Sequence, residues 1–194
     1  MKHDLILASA SPRRKELLSA AGYTFEILVS HIEEKTEETD PVRVVEELSR
    51  QKCLHVAETI SDASAVIGAD TIVVCDGRIL GKPADPEDAV RMLLSMQGRS
   101  HMVYTGVTLA KRASGVTTKT RTFSVGTSVR IEPMTEAVIR AYVSTGEPLD
   151  KAGSYAIQGR FARHIERIEG DYCNVVGLPL NALCRELDQW EGID

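Results

Sequence analysis

Paired cysteines are absent. The four present, Cys53, Cys75, Cys173 and Cys184, form no CxxC and share no paired spacing, which argues against a zinc framework or a disulfide scaffold. Surplus positive charge is absent as well: the formal net charge is -5. Duplex nucleic acid calls for clustered Lys and Arg, so no nucleic-acid partner is expected. No apolar run approaches a membrane span, so no membrane partner is expected either. The opening "MKHDLILASAS" holds an apolar stretch too short, and too broken by serine, for a signal peptide. A reduced, cytoplasmic protein is the expectation. No repeat, low-complexity tract or Pro/Gly/Ser linker divides the 194 residues. They read as one domain over 1–194, long enough for a large core or for two small lobes with a common one.

Strand and helix signals interleave along the chain. "DLILAS" (4–9) reads as a buried strand running into a helix whose N-cap is Ser11 and whose first residue is Pro12. That helix should end near Gly22, with Leu17, Leu18 and Ala21 on its inner face. "FEILVS" (25–30) alternates Phe25, Ile27 and Val29 inward as a second strand. Asp40-Pro41 opens a helix to about Ile60, and Asp85-Pro86 opens one ending at Gly98. Between them "AVIGADTIVVCDGRILGKP" (65–83) reads as two strands around an Asp76-Gly77 hairpin turn. Two further strands cover "HMVYTGVTLAKR" and "TFSVGTSVRI", followed by a helix from Thr135 to Ser144. The tail reads as a loop "GEPLDKAGSYAIQG", a strand "ARHIERIE", a loop "GDYCNVVGLP" and a helix opened by Pro179. The class is α/β, with a mixed β-sheet and flanking helices.

Arg13 and Arg14 occupy the first turn of their helix, beside unpaired N–H groups at the positive end of its dipole. The helix at Asp85-Pro86 shows the ordinary choice there, Glu87 and Asp88. Two solvated arginines would be the bland reading. Their place directly after a strand, and arginine's fit to phosphate, favour an anion. Asp70 lies in "VIGADTIVV", otherwise an apolar strand. A carboxylate there requires a hydrogen-bond network, a cation or a catalytic task. Gly68 before it would permit close backbone approach, and Thr71 sets a hydroxyl beside it. Lys82 follows across the hairpin in "GKP", where Pro83 rules out a Walker motif. Lys52 falls on the arc of Val44, Val45, Leu48 and Val56, so it either snorkels to water or meets an anion. Glu33 and Glu34, alone, would pass for a solvated turn. The five histidines show no metal-ligand spacing, and the role of His101 is open. No P-loop, GxSxG elbow, HExxH or EF-hand loop occurs. Basic anion-binding positions with isolated carboxylates fit divalent-metal-assisted phosphoanhydride chemistry.

Four blocks, "LILASASPRRKELL", "VIGADTIVVCDGRILGKP", "LDKAGSYAIQG" and "GDYCNVVGLPL", together resemble the Maf family of nucleoside triphosphate pyrophosphatases. They span residues 5 to 180 in the family's order. The resemblance implies an inosine-triphosphatase-like fold, with two lobes around a central cleft that holds the active site. It implies hydrolysis of a nucleoside triphosphate to the monophosphate and pyrophosphate with Mg²⁺ or Mn²⁺. By motif, Asp70 matches the proton acceptor, and Glu33 with Asp70 the carboxylates near the metal. Arg13, Thr71 and Gln158 match positions of substrate choice. Ser9, Arg14, Lys52 and Lys82 match positions lining the cleft. Gln158 in "AIQG" resembles the branch acting on dTTP and UTP, whereas the 7-methyl-GTP branch carries an acidic residue there. An amide offers a pyrimidine edge both donor and acceptor. Cys53 and Cys173 depart from the family's frequent Ala and Tyr at positions assigned no chemistry. Homodimers are common in the family. An alternative is a nucleotide-binding regulatory module linked to cell division, without significant turnover. Modified pyrimidine nucleotides as substrates would share every motif.

Overall fold

Every helix that an N-cap followed by proline marks in the sequence begins at that point in the computed structural model, which describes residues 3–190. Helix α1 (Pro12–Ala20) follows Ser11, whose side chain accepts the Arg14 N–H. Helix α2 (Pro41–Glu58) follows Asp40, which accepts the Arg43 N–H at 3.0 Å. Helix α3 (Pro86–Met96) follows Asp85, which accepts the Asp88 N–H at 2.7 Å. These side chains satisfy N–H groups that have no intrahelical partner. Helix α4 (Glu136–Val143) is capped by Thr135, and α6 (Leu180–Asp188) starts behind Pro179, after a short α5 (Tyr172–Val176).

The strands are β1 (His3–Leu7), β2 (Glu26–Ile27), β3 (Ala63–Cys75), β4 (Arg78–Leu80), β5 (Ser100–Ala113), β6 (Val116–Ile131) and β7 (Ile165–Glu169). They form one seven-stranded sheet in the order β2-β1-β3-β5-β6-β7, with β4 paired to β3. Strand β1 is parallel to both β2 and β3, whereas β3–β4 and β6–β7 are antiparallel. The mixed α/β class is as the sequence leads one to expect.

The chain divides into two compact units, one of Met1–Asp70, Thr105–Val125 and Gly177–Asp194, the other of Thr71–Tyr104 and Gly126–Val176. In the first unit the sheet is covered on both faces. Leu5 and Leu7 of β1 join Ile67, Leu109, Leu18 of α1 and Leu183 and Leu187 of α6. Ile6 and Ala8 point the other way and join Val66, Ala110 and Cys53, Val56 and Ala57 of α2. Successive side chains of a strand face opposite sides, so a strand covered on both reads as an unbroken apolar run. In the second unit Leu93 and Met96 of α3, Ile139 of α4 and Phe161 are fully buried. Among the described residues no helix is long and apolar enough to cross a membrane. None of the four cysteines is in a disulfide.

Three local expectations are corrected. Strand β2 has only two residues, and Ile27 and Val29 are 39% and 38% exposed. Phe25 and Leu28 are the side chains that pack on the core, because pairing stops after Ile27 and the period-two alternation stops with it. Ala21 caps α1 on the exposed side, leaving Leu18 as the buried residue of that helix. The stretch read as a loop at "GDYC" contains α5. Asp171 Oδ1 accepts the N–H groups of Cys173 and Asn174 at 2.7 and 3.2 Å and starts that turn.

Candidate active site

Two glycines on neighbouring strands let α2 lie unusually close to the sheet. A Cβ at Gly68 of β3 would stand 2.5 Å from the Ser49 carbonyl oxygen, and one at Gly106 of β5 would run into the Val45 carbonyl. Ser49 Oγ and Thr108 Oγ1 close the contact with a 3.0 Å hydrogen bond. This approach carries Lys52, one residue before the buried Cys53, to the middle of β3, where Asp70 interrupts an apolar run that resumes at Ile72. There Lys52 Nζ donates to Asp70 Oδ1 at 2.6 Å and pairs with Glu34 Oε2 at 2.9 Å. The Lys52 and Asp70 side chains are 16% and 13% exposed, and Glu34 38%. Lys52 therefore does not snorkel to water but is paired with two carboxylates of the protein itself.

The turn between β1 and α1 forms the other part of the site. Ser9 Oγ accepts the Ser11 N–H and an N–H of Arg14 Nη1, both at 3.2 Å. Arg14 Nε donates to the Gly177 carbonyl at 2.7 Å. Burial lowers the Arg14 pKa, a shift opposed by the Asp70 carboxylate and reinforced by Arg13. Arg14 is thus used within the protein. Arg13 is half-buried and among the described residues has no hydrogen-bond or ion-pair partner, although it stands at the positive end of the α1 dipole.

The structure therefore brings Ser9 together with Arg14, and Lys52 with Asp70 and Glu34. Glu33 is 80% exposed and pairs with Lys35 at 2.9 Å. The carboxylate that shares a cation with Asp70 is its neighbour Glu34. No sequence signal separates the two, because residues 28–39 have no regular structure and hence no phase to read. Thr71, Lys82 and Gln158 belong to the second unit, Thr71 half-buried and the other two exposed. His101, left open by the sequence, is buried there, and its Nε2 lies 2.7 Å from the Tyr155 hydroxyl.

Among the described residues no three His, Cys, Asp or Glu side chains gather into a metal cage. Two carboxylates, Asp70 and Glu34, already converge on one cationic nitrogen. Magnesium is usually held by one or two carboxylates together with water and substrate phosphate, so this donor pair fits a divalent ion that arrives with a triphosphate.

The family described as Maf-like protein matches this chain over residues 4–190. A dTTP/UTP pyrophosphatase of Lachnoclostridium phytofermentans is 45% identical over 192 residues, covering 99% of this chain and 97% of that one. A dTTP/UTP pyrophosphatase of Bacillus cytotoxicus is 50% identical over 187 residues, covering 96% and 95%. The Ham1 protein of Staphylococcus aureus, a solved structure, overlays with a TM-score of 0.48 at 15% identity, over 96% of this chain and 98% of that one.

Proposed function

The chain belongs to the Maf-like protein family, and from that premise we propose that it hydrolyses dTTP and UTP to the monophosphate and pyrophosphate. The observation that carries the reading is Asp70, a carboxylate 13% exposed in the middle of the apolar strand β3 and held by Lys52 at 2.6 Å. Relatives named dTTP/UTP pyrophosphatase, at 45% and 50% identity over nearly the whole chain, support the choice of substrate.

Asp70 takes the proton of the water that attacks the α-phosphorus. As the new O–P bond forms, the bond to the oxygen bridging the α- and β-phosphorus breaks and pyrophosphate leaves. Lys52 holds Oδ1 of Asp70 and so fixes the orientation in which the carboxylate meets the water. Arg13, at the positive end of α1, takes a phosphate oxygen. Arg14, engaged by Ser9 and Gly177, stiffens the turn from which Arg13 projects. Mg²⁺ or Mn²⁺, when bound by Asp70 and Glu34, supplies charge screening for the triphosphate. Gln158 reads the base through its amide, and Thr71 and Lys82 contribute to substrate binding, on the residue match with the family. A homodimer in the cytoplasm goes with this reading on the same footing.

The test is pyrophosphate release across a panel of nucleoside triphosphates with Mg²⁺ or Mn²⁺, with Asp70→Asn alongside. We expect turnover of dTTP and UTP that chelation abolishes and that the variant lowers by about 10²–10⁴-fold, the usual worth of a positioned base. Turnover that survives Asp70→Asn removes the base assignment and leaves the enzyme. Binding with no turnover of any nucleotide points to the regulatory module.

A further inference from the structure

The segment that carries Gln158 is short and pinned at both ends. Tyr155, Ala156 and Ile157 before it and Phe161 after it are buried, whereas Gln158, Gly159 and Arg160 stand in solvent. Against this arch lies the side chain of Glu147. Its Oε2 accepts the Arg160 N–H at 3.2 Å, and its Oε1 accepts the Tyr142 hydroxyl at 3.1 Å. A Cβ on Gly159 would fall 2.9 Å from Oε1 and 3.1 Å from Oε2, and Gly159 has a φ of +111°, which residues with a side chain rarely adopt. The carboxylate and the arch therefore fit each other in one arrangement.

Glu147 is in turn held from behind. Its N–H donates to Thr145 Oγ1 at 3.3 Å, and its carbonyl accepts from Lys151 Nζ at 2.7 Å. Burial, and after it the charge of Glu147, raises the Tyr142 pKa, so the hydroxyl remains a donor. The Tyr142 ring packs on Phe161, with centroids 4.9 Å apart, which ties the carboxylate to the far anchor of the arch.

We propose that Glu147 is a positioning residue for Gln158 and through it sets the preference for uracil-type bases over cytosine. The proposal rests on the reading of Gln158 as the side chain that meets the base. Uracil and thymine present a carbonyl at C4 and an N3–H, whereas cytosine presents an amino group and a bare N3. A glutamine amide has one acceptor and one donor side. Presented from a backbone that is held in one position, it matches one of these edges better than the other. On a loosened arch the amide turns over and matches the other as well.

The experiment measures kcat/KM for UTP and CTP in the parent, Glu147→Ala, Tyr142→Phe and Gln158→Ala. We expect Glu147→Ala to lose the UTP preference by about tenfold, the worth of one well-placed hydrogen bond, with the change in KM rather than kcat. Tyr142→Phe keeps the ring against Phe161 and removes only the donor to Oε1, so it moves the ratio the same way by less. If Glu147→Ala does not fold, Tyr142→Phe carries the test. Gln158→Ala loses the preference too, and the double variant loses no more than either alone, as expected for residues acting as one unit. A ratio unchanged in Glu147→Ala and Tyr142→Phe, with Gln158→Ala deficient, overturns the role of Glu147 and leaves Gln158 as the base reader. A ratio unchanged in Gln158→Ala overturns the base-reading assignment, and the proposal with it.

Discussion

The Lys52–Asp70–Glu34 cluster of the first unit and the His101–Tyr155 pair of the second treat buried polar groups in opposite ways. In the first, charge is kept and answered by charge: one ammonium serves two carboxylates, at 2.6 and 2.9 Å. In the second, charge is refused. Burial pushes His101 down to about 4 and raises Tyr155, so the 2.7 Å contact joins two neutral groups. Tyr155 then stacks on Phe161 at 5.1 Å. The first arrangement can exchange partners, since an ammonium that holds carboxylates can also hold phosphate, and Glu34 is partly open to water. The second is buried scaffold, in which Nε2 of His101 is engaged and Nδ1 has no hydrogen-bond partner among the described residues. Titratable groups in an interior thus divide by how their charge is handled, and depth alone does not mark a site.

Removing the shared cation tests the first half of this contrast. Lys52→Met should lower turnover about a thousandfold, because Asp70 loses the 2.6 Å hydrogen bond that holds its carboxylate in place. Steady-state kcat at saturating dTTP checks this. A loss confined to KM would assign Lys52 to binding only. The next effect is on stability and belongs to the neutral pair. An unfolded chain protonates His101 near 6.5, the folded protein only near 4. Between those values the unfolded state binds the extra proton, so stability is full above about pH 6.5 and falls by about 3 kcal/mol on acidification toward pH 4. Denaturant titrations at several pH values should show that slope flattened in His101→Gln. A slope unchanged in the variant would locate the acid sensitivity elsewhere. The smallest effect sharpens the distinction between the two arginines. Arg13→Ala should raise KM for UTP about tenfold, the worth of one charge-assisted contact, and leave the melting midpoint in place, as for a side chain with no partner among the described residues. A lowered midpoint would make Arg13 structural, like Arg14.

Much of this site is legible in the sequence where local rules govern. Ser11-Pro12 marks the α1 start, and the turn that follows it carries no acid. Gly68 ahead of Asp70 signals the close approach that brings α2 and Lys52 in. What the sequence does not reveal depends on contacts distant along the chain or on irregular backbone. His101 is explained by Tyr155, 54 residues away, and no spacing rule links them. The choice between Glu33 and Glu34 needs a chain direction that an irregular segment does not encode. Arg14 looks as free to bind phosphate as Arg13 until Gly177 is seen to hold it. The inward alternation at Phe25, Ile27 and Val29 fails because a strand's length is set by its partner: β1 offers β2 pairing only at Ile6 and Leu7.

The bond from Arg14 to the Gly177 carbonyl, made between residues 163 apart, bears on the order in which the protein is made. Leu178, Leu183, Leu187 and Trp190 complete the same core cluster as Leu5, Leu7 and Leu18. On the ribosome, the first strand and helix to emerge must wait for the last helix before their shared apolar surface is closed, and the α1 N-terminus is not fixed until then. Contacts of such long separation are slow to form and leave hydrophobic surface open to aggregation meanwhile. The second unit has all its residues out of the ribosome before Gly177 appears. The unit that holds Asp70 is therefore closed only after the residues of the second unit have emerged, and the turn between β1 and α1 is fixed only once Gly177 has followed them.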